Sequence, residues 1–309
     1  MRFSGVFPMK ILFVALAVLL VSGCTSSPKN GSRPELPAVA PESIPVVVKT
    51  PPRIGLALGG GAARGFAHVG VIQVLEEAGI RPSLVAGTSA GSLVAAIYAS
   101  GKTGKQLQQV AETMEEVTIA DWTLPLFTRG MLRGDALARY VNAQVGSRRL
   151  EDMVLPLGIV ATDLNSGQSV VFQKGDTGTA VRASSAVPAV FQPVKISGRD
   201  YVDGGLVSPV PVRAARKMGA ELVIAVDISS APEGNGTGGT LDVLLQTFAI
   251  MGNSINQFEL RDADIVVRPA LVGVSSADFS ARKRAIEAGR LAMLQLMPQL
   301  RAAIAAKSR

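Results

Sequence analysis

Leu84-Val85-Ala86-Gly87-Thr88-Ser89-Ala90-Gly91-Ser92-Leu93-Val94-Ala95-Ala96-Ile97-Tyr98 is the stretch on which the reading of this chain turns. A short apolar run leads into a serine between small residues, and a helix-like segment follows at once. Such a strand-to-helix turn lifts a serine hydroxyl above the sheet edge, clear of the core. The helix N-terminus behind it favours developing negative charge. Ser89 is therefore a candidate nucleophile. Its base is not obvious, because the 309 residues include one histidine.

Upstream, Ile54-Gly55-Leu56-Ala57-Leu58 is a near-continuous apolar strand of the kind covered on both faces. A glycine-rich turn and a helix over about 64–78 follow, with Val71, Leu75 and Ala78 at helical spacing, Glu76 and Glu77 on the wet side and Gly79 closing it. Downstream, 157–162, 170–172, 222–226 and 265–267 read as strands. Helices fall at roughly 104–117, 134–144, 178–187, 210–218, 240–259 and 278–297. Strands alternating with helices at this spacing predict an α/β fold, a three-layer α/β/α arrangement around a mostly parallel central sheet. Abundant glycine and few aromatics suit this better than an aromatic-rich β-sandwich, and 48% hydrophobic residues supply its core. Gly234, Gly236, Gly238 and Gly239 read as a mobile surface loop, and no internal repeat is present.

Gly59-Gly60-Gly61-Ala62-Ala63-Arg64-Gly65 lies between the first strand and its helix. Small residues there leave backbone N–H groups exposed, an anion cradle for a phosphate or for the oxyanion of acyl transfer. A P-loop would end in Gly-Lys-Ser/Thr, where this chain has Arg64-Gly65-Phe66, and the third glycine of a dinucleotide fingerprint would fall on Arg64. No cofactor and no metal are therefore expected. An oxyanion role fits better beside a candidate nucleophile, since one such donor is worth about 3–4 kcal/mol in the transition state. Arg64 either lends positive charge and braces this loop or is a solvated charge at a helix start. His68, among Phe66, Ala67, Val69 and Gly70, reads as a packing or hydrogen-bonding residue rather than a base; in α/β-hydrolases the histidine follows the serine. Asp203 is the better candidate base. In Arg199-Asp200-Tyr201-Val202-Asp203-Gly204-Gly205 two glycines let the backbone turn and hold the carboxylate inward, where it can accept a serine proton if shielded from water. The competing reading is a plain Asx turn at Asp203.

Together, Gly59–Gly65, Gly87–Gly91 and Asp203-Gly204-Gly205 resemble, in the same order, the motifs of bacterial patatin-like phospholipases, of the branch that includes neuropathy-target-esterase-type hydrolases. Ala161-Thr162-Asp163-Leu164 and the segment 182–193 are lesser matches, and the resemblance covers about 54–228 with no departure at a catalytic position. It implies a Ser–Asp dyad without histidine. Asp203 would activate Ser89 for attack on an ester carbonyl of an acyl lipid or phospholipid. Gly60, Gly61 and Ala62, with Arg64 adjoining, would form the oxyanion hole. Water activated by Asp203 would then hydrolyse the acyl-enzyme. The activity implied is a serine esterase of phospholipase A or lysophospholipase type. A carboxylesterase or thioesterase is the near alternative, and a non-catalytic envelope lipoprotein that binds lipid or protein is the distant one. Asp163 and Ser184 are expected to be structural, each bonded to a neighbouring turn. The stretch 121–127, which holds the one tryptophan, Trp122, reads equally as an acyl-channel or membrane-touching segment and as ordinary core.

The N-terminus reads as an export signal. Arg2 and Lys10 bracket a basic region, and Ile11–Val21 is an apolar run of 11 residues, too short for a comfortable membrane span. Leu20-Val21-Ser22-Gly23-Cys24 resembles the bacterial lipobox, so Cys24 is expected to carry a lipid anchor; a cleaved signal with an incidental cysteine is the plainer reading. Cys24 is the only cysteine, which excludes an intrachain disulfide. Thr25 in place of aspartate points, by resemblance to lipoprotein sorting in Gram-negative bacteria, to the outer membrane facing the periplasm. The organisation expected is a lipoprotein signal peptide at 1–23, a lipid-anchored Pro-rich tether at 24–52, with a short edge strand at 46–48, and a hydrolase domain at 53–309. Within that domain the motif-bearing core is 54–228 and a C-terminal region is 229–309. The formal net charge of +7 falls to about +5 without Arg2 and Lys10, a balance that mildly favours anionic membrane surfaces. Nucleic-acid binding is not supported, for no dense Lys/Arg cluster carries interleaved aromatics; Arg282-Lys283-Arg284 reads as the wet face of the last helix. Labelling with a radioactive fatty acid should mark the wild type and spare Cys24→Ala; label persisting in that variant would refute attachment at Cys24.

Overall fold

The computed structural model describes residues 49–115, 121, 130–230, 238–275 and 278–309. The expected signal peptide, Cys24, most of the tether with its strand at 46–48, Trp122 to Phe127, and Gly234 with Gly236 lie outside the described residues.

A parallel run of strands forms the centre of the molecule, in the order β10 (Ile265–Val267), β9 (Leu222–Val226), β1 (Ile54–Leu58), β2 (Leu84–Thr88) and β4 (Leu157–Asp163). Beyond β4 the sheet continues antiparallel through β8 (Arg199–Asp203) and β7 (Val194–Ile196), and β5 (Ser169–Phe172) also pairs antiparallel with β4. A separate parallel pair joins β3 (Gly130–Leu132) to β6 (Ala189–Phe191).

Successive side chains of a strand point to opposite faces, and the two faces are filled differently. Leu56, Leu58, Val85, Ile159, Ile224 and Val226 lie in one core with α1 (Ala67–Glu77), α2 (Ala90–Ala99), α3 (Gly104–Thr113), α4 (Asp135–Gln144), α5 (Thr177–Ser184) and α8 (Arg282–Lys307). The smaller Ala57, Ala86, Val160, Val223 and Ala225 lie in a second core with α6 (Val212–Lys217). The outcome is the three-layer α/β/α arrangement with a largely parallel sheet. Coverage on both faces explains why β1, β2 and β9 read as unbroken apolar runs. The strands β6, β7 and β8 carry no such run; β6 and β7 are three residues long and β8 has polar residues at both ends, so sequence periodicity gave no sign of them.

The last helix also departs from the sequence reading. It runs from Arg282 to Lys307, through the Pro298 at which the reading stops it. Proline removes one N–H from the helical ladder, yet Met293, Met297 and Leu300 are buried on either side and hold the helix to the core. Arg282 belongs to no wet face: its Nη1 donates to the carbonyls of Ala111 and Glu112 at 3.1 and 2.7 Å, capping the carboxyl end of α3.

Where α1 crosses α8 the backbones themselves touch. A Cβ on Gly70 would lie 2.0 Å from the carbonyl oxygen of Ile286, and one on Gly289 would lie 2.0 Å from that of Ala67. Gly289→Ala is expected to cost about 1–3 kcal/mol through overpacking, read as a lower urea midpoint with an unchanged m-value. An unchanged midpoint would show that the helices separate without penalty.

Candidate active site

The site arises from a feature of the sheet. Ile159 and Val160 of β4 pair with β5 on one side and β2 on the other; Ala161 and Thr162 pair with β5 and β8. So β2 and β8 share one edge of β4. Since β2 runs parallel to β4 and β8 antiparallel, their C-terminal ends meet head-on, with Thr88 opposite Val160 and Asp203 opposite Ala161. Residues 114 apart in sequence come into contact there: Ser89 Oγ donates to Asp203 Oδ2 at 2.7 Å.

Ser89 follows β2 and caps α2 with φ 53° and ψ −124°, a conformation that costs a non-glycine residue about 1–3 kcal/mol. The flanking glycines make the turn possible. A Cβ on Gly91 would lie 2.1 Å from Leu58 O, and one on Gly87 would lie 2.5 Å from Gly91 O. Ser92 pins the turn, its amide and hydroxyl donating to Ser89 O at 2.8 and 2.6 Å. The fully buried hydroxyl of Ser184 accepts from the Ser89 amide at 2.9 Å and donates to Val160 O at 2.5 Å. Ser184 thus ties the serine turn to β4, a larger part than the neighbouring-turn bond expected for it. Asp163 does bond its own turn, accepting from Asn165 and Ser166 amides at 3.0 Å each.

The Asx turn at Asp203 is present, and it leaves one carboxylate oxygen facing Ser89. Asp203 Oδ1 accepts from the Gly205 amide at 2.7 Å, which is the Asx turn, and its Oδ2 is left for Ser89. The residue is 6% exposed. Burial pushes its pKa up to about 6, although both hydrogen bonds favour the charged form. Asp163 goes the other way: Arg199, at 2.8 Å, holds its carboxyl below the usual range.

The glycine loop packs on the same serine, for a Cβ at Gly60 would sit 3.1 Å from Ser89 Cβ. Gly59 and Gly60 donate their amides to Val226 O and Pro209 O at 3.0 and 2.9 Å, so these two groups brace the loop. The amides of Gly61 and Ala62 have no acceptor among the described residues. Ala62 takes a left-handed φ of 49°. His68 is buried, and its Nε2 donates to Gly59 O at 2.8 Å. Burial pushes its pKa down to about 4, which makes it a neutral prop beneath the loop. Arg64 reaches over the loop, with Nη1 donating to Ser230 Oγ at 2.5 Å. Burial lowers its pKa, and the charge of Asp227 opposes that shift.

Sequence reading missed a second layer. Thr88 Oγ1 donates to Ser208 O at 2.9 Å, and Ser208 Oγ donates to Glu259 Oε1 at 2.6 Å. Glu259 is the last residue of α7 (Thr240–Glu259), and burial raises its pKa above the ordinary value. On the same helix Asn256 Nδ2 donates to Ser229 Oγ at 2.9 Å. The Thr88–Ser208 and Ser208–Glu259 contacts join residues 120 and 51 apart, so no local pattern in the sequence signalled them.

Residues 56–216, just over half of the chain, match the sequence model of the patatin-like phospholipases, and the chain belongs to that family. An uncharacterised NTE-family protein of Mycobacterium tuberculosis is 37% identical over 196 residues, 63% of this chain and 54% of that protein. Patatin-like phospholipase domain-containing protein 6 of Homo sapiens is 36% identical over 188 residues, 58% of this chain and 14% of that one. The chain thus spans about half the length of the mycobacterial relative and far less of the human one. The crystal structure of VipD from Legionella pneumophila shares the fold, with a TM-score of 0.56 at 16% identity over 81% of this chain and 67% of that one.

The raised pKa of Asp203 has a consequence for stability. Its carboxyl is neutral in both folded and unfolded chains below about 3.8, and folding loses stability as pH rises from there through about 6, by roughly 3 kcal/mol in all. Asp203→Asn is therefore expected to unfold at a higher temperature than the wild type at pH 8 and to lose that advantage at pH 4. A variant less stable at pH 8 would contradict this.

Proposed function

We propose that the chain is a serine-dependent lipid acyl hydrolase, of phospholipase A or lysophospholipase type, working through Ser89 and Asp203. The observation that carries the reading is the 2.7 Å hydrogen bond from Ser89 Oγ to a buried carboxylate whose pKa is raised to about 6. A carboxylate made more basic by burial is a better proton acceptor, and it remains ionised at neutral pH. Asp203 takes the hydroxyl proton as Ser89 Oγ attacks the acyl carbonyl. The free amides of Gly61 and Ala62 receive the oxyanion, with Gly60, Arg64 and His68 holding the loop in place. The leaving alcohol or lysolipid takes the proton from Asp203. Water, deprotonated by Asp203, then attacks the acyl-enzyme, and Ser89 recovers its proton.

Family membership supports the lipid substrate class. The lipobox-like sequence supports the rest of the proposal: acylation at Cys24, a Pro-rich tether, and a place in the bacterial cell envelope, at the outer membrane facing the periplasm.

Turnover of phospholipid, lysophospholipid, simple carboxylester and thioester substrates should vanish in Ser89→Ala and fall about 10²–10⁴-fold in Asp203→Asn, with folding retained in both. In the wild type kcat/KM should climb with pH up to about 6 and level off above, because Asp203 acts as its ionised form. A folded wild type inactive on the whole panel would sink the enzyme and favour a binding lipoprotein. Activity confined to carboxylesters or thioesters would move the substrate class and keep the dyad.

A further inference from the structure

The exposed side of the helix α7 is unusually apolar. Val243, Thr247, Ile250, Met251, Ser254 and Phe258 recur at helical spacing along one stripe. The four apolar members are 51%, 49%, 47% and 59% exposed in chain order. A surface helix of a globular protein normally carries charge on that face, as α1 does with Glu76 and Glu77. From Val243 to Phe258 there is no charged residue at all.

The two hydroxyls in the stripe do not seek water. Thr247 Oγ1 donates to Val243 O at 2.8 Å, and Ser254 Oγ donates to Ile250 O at 3.1 Å. Polar groups satisfied within their own helix are what a hydrocarbon surrounding requires. At the carboxyl end Arg261 stacks over the exposed ring of Phe258, 5.1 Å from its centroid. That places an aromatic ring and a cation where acyl chains give way to phosphate headgroups. No helix among the described residues is long and apolar enough to cross a membrane, so a helix of this kind lies along a bilayer rather than through it.

The stripe is also coupled to the site. On its opposite side α7 holds Ser208 through Glu259, and Gly252 packs by Pro209, whose carbonyl fixes the Gly60 amide. We propose that the outer stripe of α7 beds into the surface of a phospholipid bilayer and so delivers the Ser89 site to its substrate. This inference rests on the proposed lipid hydrolysis for its choice of partner. The occupant is lipid rather than a second copy because the helix that carries the stripe is joined on its other side to the site and ends in a cation suited to anionic headgroups.

Full-length protein carrying Cys24→Ala and Ile250→Cys, labelled at the new cysteine with nitrobenzoxadiazole, reads the contact directly. Vesicles of phosphatidylethanolamine and phosphatidylglycerol should shift its emission to the blue. The same label at Lys105→Cys, an exposed position on α3, should not respond. No shift at position 250 in protein that sediments with the vesicles would overturn the proposal. So would a shift that grows with protein concentration in the absence of vesicles, which would mean that a second copy covers the stripe. In a second arm, Val243→Gln/Ile250→Gln/Met251→Gln should lower turnover of vesicle phospholipid by about tenfold or more while a monomeric water-soluble ester is hydrolysed at the wild-type rate. Equal loss on both substrates would reveal a structural role and overturn the proposal. Fluorescence needs no turnover, so an inactive wild type would refute the hydrolase while the label still judged the surface.

Discussion

Head-on convergence of β2 and β8 on one edge of β4 is the constraint to which the rest of the structure answers. A parallel sheet alone would leave the end of β2 facing open space or another parallel neighbour. Reversing direction beyond β4 brings the carboxyl end of a second strand against it, so two chain turns face each other across one residue step of β4. The details follow from closing that gap. Ser184 bridges the Ser89 amide to Val160 O, Thr88 reaches Ser208 O, and Thr162 Oγ1 holds Asp203 O at 2.8 Å. Gly87 and Gly91 let the turn collapse onto β1.

Electrostatics in the site is set as much by what touches each carboxylate as by burial. Asp163 and Asp203 sit on paired strands and are both buried, yet they titrate in opposite directions. Asp163 meets a guanidinium and two amides and stays a low-pKa structural anion. Asp203 meets one amide and one neutral hydroxyl, too little to offset its desolvation, and so remains basic. Two aspartates on one sheet thereby acquire different proton affinities, and desolvation at Asp203 is met at a cost in stability above its unfolded pKa.

Much of this was legible in the sequence. The parallel strands announced themselves because coverage on both faces demands unbroken apolar runs, and the Gly87–Gly91 turn because only glycine fits where backbones nearly touch. Asp203 was found from the two glycines after it, but its strand was not, since β8 is short and has polar residues at both ends. The reading also posed the Asx turn and the proton acceptor as rivals; two carboxylate oxygens allow both. The glycine loop was placed correctly beside the serine. That Gly60 is already engaged by Pro209 depends on a contact across the fold, which no local pattern encodes. Ser184, Ser208 and Glu259 were opaque for the same reason.

The antiparallel arm of the sheet also makes the assembly of the site depend on distant parts of the chain. The serine turn lies early, in segments that can form local contacts soon after synthesis. Its partner on β8 comes 114 residues later, and the glycine loop is latched by Pro209 and by Val226 at the end of β9. Contacts of such sequence separation close late. A chain still emerging, or cut short before β8, has neither Asp203 beside its serine nor Pro209 and Val226 to latch the loop.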